Sequence, residues 1–298
     1  MLLPRARYLV PILAAALPIG GLLAVFLLSE WKLRAHDRPP PFDREIPVTV
    51  EAFAQGEHIA RTRGCHSCHG ARLEGTDWTP EWTGLGRVVA PNLARYAREH
   101  DAATIERAVR HGIDASGRGL WSMPSFNFRY LRDDDLVALI SYLRQHPVSV
   151  DSLPLRYHTL ETRWAQVARG EADQASWVHL VPPLLTEAGR DGPLLAEGEY
   201  LAMTSCIECH GFDLRGAIEG PNVTPDLAVV ATYSRQEFER LMREGISRTG
   251  NADLVLMSKT ARNRFVHWTG AEVDALYAFL GTLPARPVPT GVFWRAGP

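Results

Sequence analysis

The 298-residue chain carries 34 acidic residues against 32 Lys plus Arg, a net charge of -2, and 46% of it is hydrophobic. That balance lacks the cationic excess that a phosphate backbone demands, which sets nucleic acid aside, and the apolar content suffices for about two cores, which sets disorder aside. Four cysteines are too few for a disulfide scaffold in a chain of this length.

From Tyr8 to Ser29 no residue is charged, a run of 22 residues. As a helix it rises about 33 Å at 1.5 Å per residue, enough for a bilayer core. Arg5 and Arg7 precede it, so the positive-inside rule predicts a cytoplasmic amino terminus, with Trp31 and Lys32 at the far interface. The expected protein is single-pass in a bacterial inner membrane, its soluble part in the periplasm. A cleaved signal peptide has a shorter apolar region and a small-x-small site, which LLSEWKLRAHD does not supply. Residues 1–30 therefore read as a transmembrane anchor that meets lipid through residues 8–29. Residues 31–48, with HDRPPPFDREIP, have the charged, proline-rich composition of an extended stalk.

All four cysteines fall into two copies of one pattern, Cys65-His66-Ser67-Cys68-His69 and Cys206-Ile207-Glu208-Cys209-His210, 141 residues apart. In a helical turn positions i, i+3 and i+4 share a face, so two sulfurs and an imidazole address one flat ligand. That is the spacing of covalent c-type haem attachment, with two thioethers and a proximal iron ligand.

The repetition extends beyond the pentapeptides. Leu73 and Gly75 recur as Leu214 and Gly216 at the same offset, Pro91-Asn92 as Pro221-Asn222 at 130, and Gly112-Ile113 as Gly245-Ile246 at 133. Leu136, Leu139, Ile140 and Leu143 match Val273, Leu276, Tyr277 and Leu280 at 137. Drifting offsets place the insertions in loops and leave helices intact. Short amphipathic helices are predicted before each motif, in AFAQGEHIARTRG and LLAEGEYLAMTS. Ser234-x-x-Glu237 and Thr269-x-x-Glu272 predict capping boxes, and Gly245 a left-handed cap. Asp133, Asp134 and Asp135 suit a helix amino terminus. Between the copies, residues 148–190 show no clear period and read as a linker free to pack against either unit.

With these residues in view the chain resembles class I cytochromes c, and more closely the membrane-associated multihaem cytochrome subunits that carry electrons from periplasmic dehydrogenases. The resemblance covers about residues 50–147 and 191–284, through CHSCHG, APN, SMPSF and DDDLVALISYL, then CIECHG, GPN and TGAEVDALYAFL. It implies an all-α fold: two tandem class I cytochrome c domains, 49–147 and 191–285, behind one transmembrane helix, with a tail at 286–298. It also implies two covalently bound haem c groups on Cys65, Cys68 and His69 and on Cys206, Cys209 and His210. Redox protein partners follow, a dehydrogenase or respiratory complex on one side and an acceptor such as a terminal oxidase on the other.

Such domains usually take a distal methionine. Met123, in Trp121-Ser122-Met123-Pro124, is the one methionine of the first copy and lies 13 residues before Leu136; a gap-filling core residue is its alternative. In the second copy Met203 is too near Cys206 to reach the opposite face, and Met242 falls on an amphipathic helix as a core residue. Met257, 16 residues before Val273, has the matching position although Ser258 replaces the following proline, and His267 competes with it. In the family a proline carbonyl accepts the proximal imidazole proton, a role that falls to Pro91 and Pro221. Trp78, Trp82 and Trp121 are candidates to cover the first haem edge, with ordinary packing as the alternative. Two other readings are a dihaem peroxidase, which needs an open iron and an acid/base group, and a single zinc bound by both Cys pairs.

Overall fold

The computed structural model describes residues 6–37, 39–82, 84–149, 153–170, 172–186, 188–219, 222–286 and 288. Arg5, Pro221 and nearly all of the 286–298 tail lie outside them. Helix α1 (Ala6–Arg34) runs four residues past the expected end of the anchor, with Lys32 and Arg34 in its last turn, where cations suit the helix dipole. By length and composition its Ala16–Arg34 portion is the one described segment able to cross a membrane. Leu17, Leu23, Leu27 and Leu28 are exposed along it, whereas Ser29 and Leu33 at its end are buried.

The proline-rich segment after α1 is not a free spacer. His36 Nε2 meets Asp173 Oδ2 at 2.7 Å, Arg44 reaches Asp134 at 2.7 Å, and Phe42 and Ile46 pack on the core. The Ser141 hydroxyl donates to the Pro47 carbonyl. Its charges and prolines exclude a core of its own, but Phe42 and Ile46 find one next door, and it lies as a strap over the first domain.

That domain begins with α2 (Val50–Thr62), capped by the Thr49 hydroxyl, and the short turn α3 (Cys65–Cys68). Strands β1 (Thr76–Asp77), β2 (Gly86–Arg87) and β3 (Val89–Ala90) follow, with β1 antiparallel to β3 in the register Thr76↔Ala90. Helices α4 (Leu93–Glu99), α5 (Ala102–His111) and α6 (Asp133–Gln145) complete it. Asn92 and Asp101 cap α4 and α5, and Gly112 closes α5 at φ 66°. The linker packs: β4 (Tyr157–His158) pairs with β2, α7 (Leu160–Trp164) and the π-helical turn Ala165–Arg169 contact α1, and α8 (Gln174–Val178) lies on the Ser125–Phe128 turn.

After α9 (Ala188–Asp191) the second domain repeats the plan. It has α10 (Pro193–Met203), the turn α11 (Ile207–His210), the hairpin β5 (Ile218–Glu219) with β6 (Asn222–Val223), α12 (Arg235–Glu244), α13 (Leu256–Asn263) and α14 (Gly270–Thr282). Both expected capping boxes form, and Gly245 closes α12 at φ 71°.

In each domain the first helix crosses the last at a glycine. A Cβ on Gly56 would collide with the Ala138 carbonyl and Tyr142, and one on Gly198 with the Ala275 carbonyl and Phe279. The partners differ by the offset of 137 read from the last helices. The two domains then share one hydrophobic core, in which Phe126 meets Phe212 at 5.0 Å. Their contacts are reciprocal: His58 of α2 bonds Glu272 of α14 at 2.8 Å, and Tyr200 of α10 bonds Asp135 of α6. His58 and Tyr200 occupy equivalent positions, each accepting at its carbonyl, 2.7 Å away, from the Thr one turn later, Thr62 and Thr204. Asp135 and Glu272 are equivalent likewise, so the interface has the self-complementary form of a twofold dimer.

Candidate cofactor sites

Each Cys-x-x-Cys-His segment is a single helical turn closed by a hydrogen bond from the histidine amide to the first cysteine carbonyl, 2.9 Å in both copies. None of the four cysteines forms a disulfide. The chain after each histidine has the same course. Gly70 and Gly211 have positive φ, and Leu73 and Leu214 take φ of 58° and 63° although nearly fully buried. Left-handed backbone is rare for a leucine, and the packing of the side chain holds it there. The carbonyl of each leucine accepts the amide of Leu93 or Leu227, at 3.0 and 2.9 Å, and the amides of Gly75 and Gly216 return to the histidine carbonyls at 2.7 and 2.8 Å.

These bonds fix the imidazoles. His69 Nδ1 lies 2.8 Å from the Pro91 carbonyl, and His210 Nδ1 lies 2.9 Å from that of Pro225. A carbonyl only accepts, so Nδ1 carries the proton and the Nε2 lone pair is left for a metal. Burial pushes both imidazoles below the usual histidine range, keeping the neutral, ligating form, and pushes the Cys65 and Cys206 thiols up to about 12.

The acceptor in the second copy therefore differs from the expected Pro221. Pro225-Asp226-Leu227 is the structural counterpart of Pro91-Asn92-Leu93, at offset 134: Asp226 accepts from the Ala228 amide as Asn92 does from Arg95. The identical Pro-Asn dipeptide at offset 130 misdirects the alignment, because Asp and Asn are interchangeable caps and the bonding atom is a backbone oxygen.

Met123 is half-buried beside Pro124, and Met257, in the first turn of α13, is half-buried too; both pack on the core. Met203 and Met242 are buried core residues, at 5% and 2% exposure, and His267 is exposed. A serine ties down each methionine segment, Ser125 Oγ donating to the Ala108 carbonyl at 2.8 Å and Ser258 Oγ to the Gly245 carbonyl at 2.6 Å. Sequence reading passed over Ser125 and noted Ser258 only as the missing proline, whereas its buried hydroxyl does the anchoring. It also passed over the bonds to the second cysteine of each turn, from Trp78 Nε1 to the Cys68 carbonyl at 2.9 Å and from the Thr224 hydroxyl to that of Cys209. Trp82 is exposed, and the Trp121 ring lies tilted against His158, their centroids 5.6 Å apart.

The two motifs approach each other across the domain interface. Arg264 Nη2 donates to the Arg63 carbonyl at 3.0 Å, and its guanidinium lies against Gly64, the residue before Cys65. Buried Arg63 lies over the rings of Tyr200 and Trp268, at 5.5 and 5.9 Å. Both guanidinium groups act electrostatically on Cys65 and on Cys206. Among the described residues no three His, Cys, Asp or Glu side chains gather as a metal site. Two thiols one turn apart, followed by an imidazole presenting Nε2, buried at His69 and half-buried at His210, are a donor set that fits one c-type haem per domain.

Comparison with known proteins agrees. Residues 51–143 match the family model of cytochrome c oxidase, cbb3-type, subunit III, and residues 195–284 match that of cytochrome c. Similar chains include the fructose dehydrogenase cytochrome subunit of Gluconobacter japonicus, 24% identical over 93% of this chain and 57% of that protein. Others are the cytochrome c subunit of alcohol dehydrogenase (quinone) from Gluconobacter oxydans strain 621H, 23% identical over 78% and 55%, and that of gluconate 2-dehydrogenase from Pantoea cypripedii, 25% identical over 52% and 37%. The chain spans little more than half the length of the first two relatives.

Proposed function

We propose that this chain, two tandem cytochrome c domains that each carry one covalently bound haem c, is the electron-transfer subunit of a periplasmic dehydrogenase complex. The observation that carries the reading is the pair of imidazoles, each oriented by a proline carbonyl beside its two cysteines. It is supported by relatives named as cytochrome subunits of fructose, alcohol and gluconate dehydrogenases.

In this reading Cys65 and Cys68, and Cys206 and Cys209, form the thioethers; His69 and His210 are proximal ligands; Met123 and Met257 are distal ones. Bound haem supplies a reversible one-electron couple, and the soft thioether of methionine favours its reduced state. The Pro91 and Pro225 carbonyls hold the imidazoles in the ligating tautomer, and the surrounding core excludes water. Substrate oxidation belongs to the partner, and this chain passes electrons on toward a quinone or a terminal oxidase. Helix α1 tethers it to the inner membrane with both domains in the periplasm.

Three measurements test this. Denaturing electrophoresis with haem staining should colour the intact chain, and Cys65→Ala with Cys68→Ala should leave one haem. Mild detergent extraction should co-purify a dehydrogenase, and the reduced chain should bind little carbon monoxide, because Met123 and Met257 as distal ligands would leave neither iron an open position. A carbon-monoxide-binding haem with peroxide turnover would replace the carrier by the peroxidase.

A further inference from the structure

The linker carries apolar side chains that the fold leaves outside. Leu155 is 88% exposed, Tyr157 55%, Leu160 48% and Trp164 54%, all within ten residues. Leu160 and Trp164 are one turn apart on α7, so they share a face. The opposite face is committed, with Thr162, Ala165 and Gln166 buried.

What that buried face packs on sets the height of the exposed one. Arg163 bonds Ser29 Oγ and Glu30 Oε1, both at 2.8 Å, and its guanidinium lies 4.4 Å over the Phe26 ring. Lys32 Nζ donates to the Gln166 carbonyl at 2.6 Å. Arg118 Nε adds a 2.9 Å bond to Glu30 Oε2. Ser29 is the last residue of the uncharged run and Glu30 the first charge after it. Helix α7 is thus clamped where the apolar helix leaves hydrocarbon, the level at which tryptophan rings and arginine stems are favoured.

We propose that this linker face, with Leu160 and Trp164 at its centre, is a second membrane contact that lies in the lipid headgroup region beside α1. The occupant is the bilayer itself, since the face is continuous with the lipid-facing helix. Leu155 and Tyr157 extend it, and Arg156 between them is half exposed while its guanidinium is paired with Asp114. The contact sets the tilt of the first domain on the membrane, which α1 alone would leave free to swivel. This inference rests on α1 spanning a membrane.

The test uses the full haem-loaded chain in nanodiscs of phosphatidylethanolamine and phosphatidylglycerol, doped with a phospholipid bearing a photoactivatable diazirine near its headgroup. Lipid adducts are expected on α1 and on peptides covering 157–169, and not on the 248–256 loop of the second domain. Leu160→Gln combined with Trp164→Gln should abolish adducts on 157–169 while α1 labelling and the haem spectrum stay unchanged. Labelled α1 with unlabelled 157–169, or persistence of that label in the double variant, overturns the membrane face and leaves the anchor standing. Absence of label on both overturns the anchor and with it this inference.

Discussion

Two methionines of the second domain differ in what their surroundings let them do. Met242 is buried among apolar side chains of α12, whereas Met257 sits half-buried at the start of α13, held by the Ser258 anchor. Met257→His should lower one haem potential by exchanging thioether for imidazole, and Met242→Leu should move neither while costing less than about 1.5 kcal/mol. Spectroelectrochemical titration of both variants decides between them; an unmoved potential in Met257→His removes it as ligand. Next to it Val255 takes φ 53° with its side chain 71% exposed, a strained conformation for a β-branched residue that buries little in return. Val255→Gly should therefore raise the stability of the second domain, by about 1 kcal/mol, read by urea unfolding. The two Cys-x-x-Cys-His turns were legible in the sequence because their spacing is the chemistry. The Pro225 carbonyl was not, since a backbone atom leaves no residue-type signature, and the partners of His36 and His58 were hidden by separations of 137 and 214 residues.

Helix ends were readable because capping is local: Ser234-x-x-Glu237, Thr269-x-x-Glu272 and Gly245 all do what their spacing predicts. Ser234→Ala should cost about 1 kcal/mol through its lost cap. The helix crossings had no such local signal. Gly56 and Gly198 resemble ordinary helical glycines, yet each lets a carbonyl of the last helix approach where a methyl would collide. Gly56→Ala and Gly198→Ala should each destabilise by about 1–3 kcal/mol, against the gain that alanine gives an open helix. A calorimetric scan that finds either variant stabilised would falsify the close crossing. The segment after α1 failed as a stalk for a related reason. Composition shows that it cannot form a core, but not that Phe42 and Ile46 join a neighbour's.

At the level of the whole chain, the sequence separates the repeats and says nothing about how they face each other. Each iron in its own repeat suggests independent potentials, but Arg63 and Arg264 stand between the motifs and act on both. A cation near haem favours the reduced state, so Arg264→Gln should lower both potentials by tens of millivolts, the scale of about 1 kcal/mol in a one-electron couple. The same titration checks it, and a shift at one haem alone assigns Arg264 to that domain. The interface also carries a pH limit. Burial acts to raise the Glu272 carboxyl, but the bonds from His58 and the Thr269 amide outweigh it and hold the group below its ordinary value of 4.5. Its stabilisation is therefore complete above about pH 4.5 and is lost as acid drives pH down through the depressed value. Glu272→Gln should flatten that acid limb in unfolding curves taken across pH. A core common to both domains finally bears on kinetics. Because one chain holds the two haem sites at a fixed separation, an electron passing between them makes a unimolecular hop whose rate is untouched by dilution. Exchange with outside donors and acceptors slows in proportion to their concentration. Progressive dilution in flash photolysis thus separates the internal leg of the relay from the external ones.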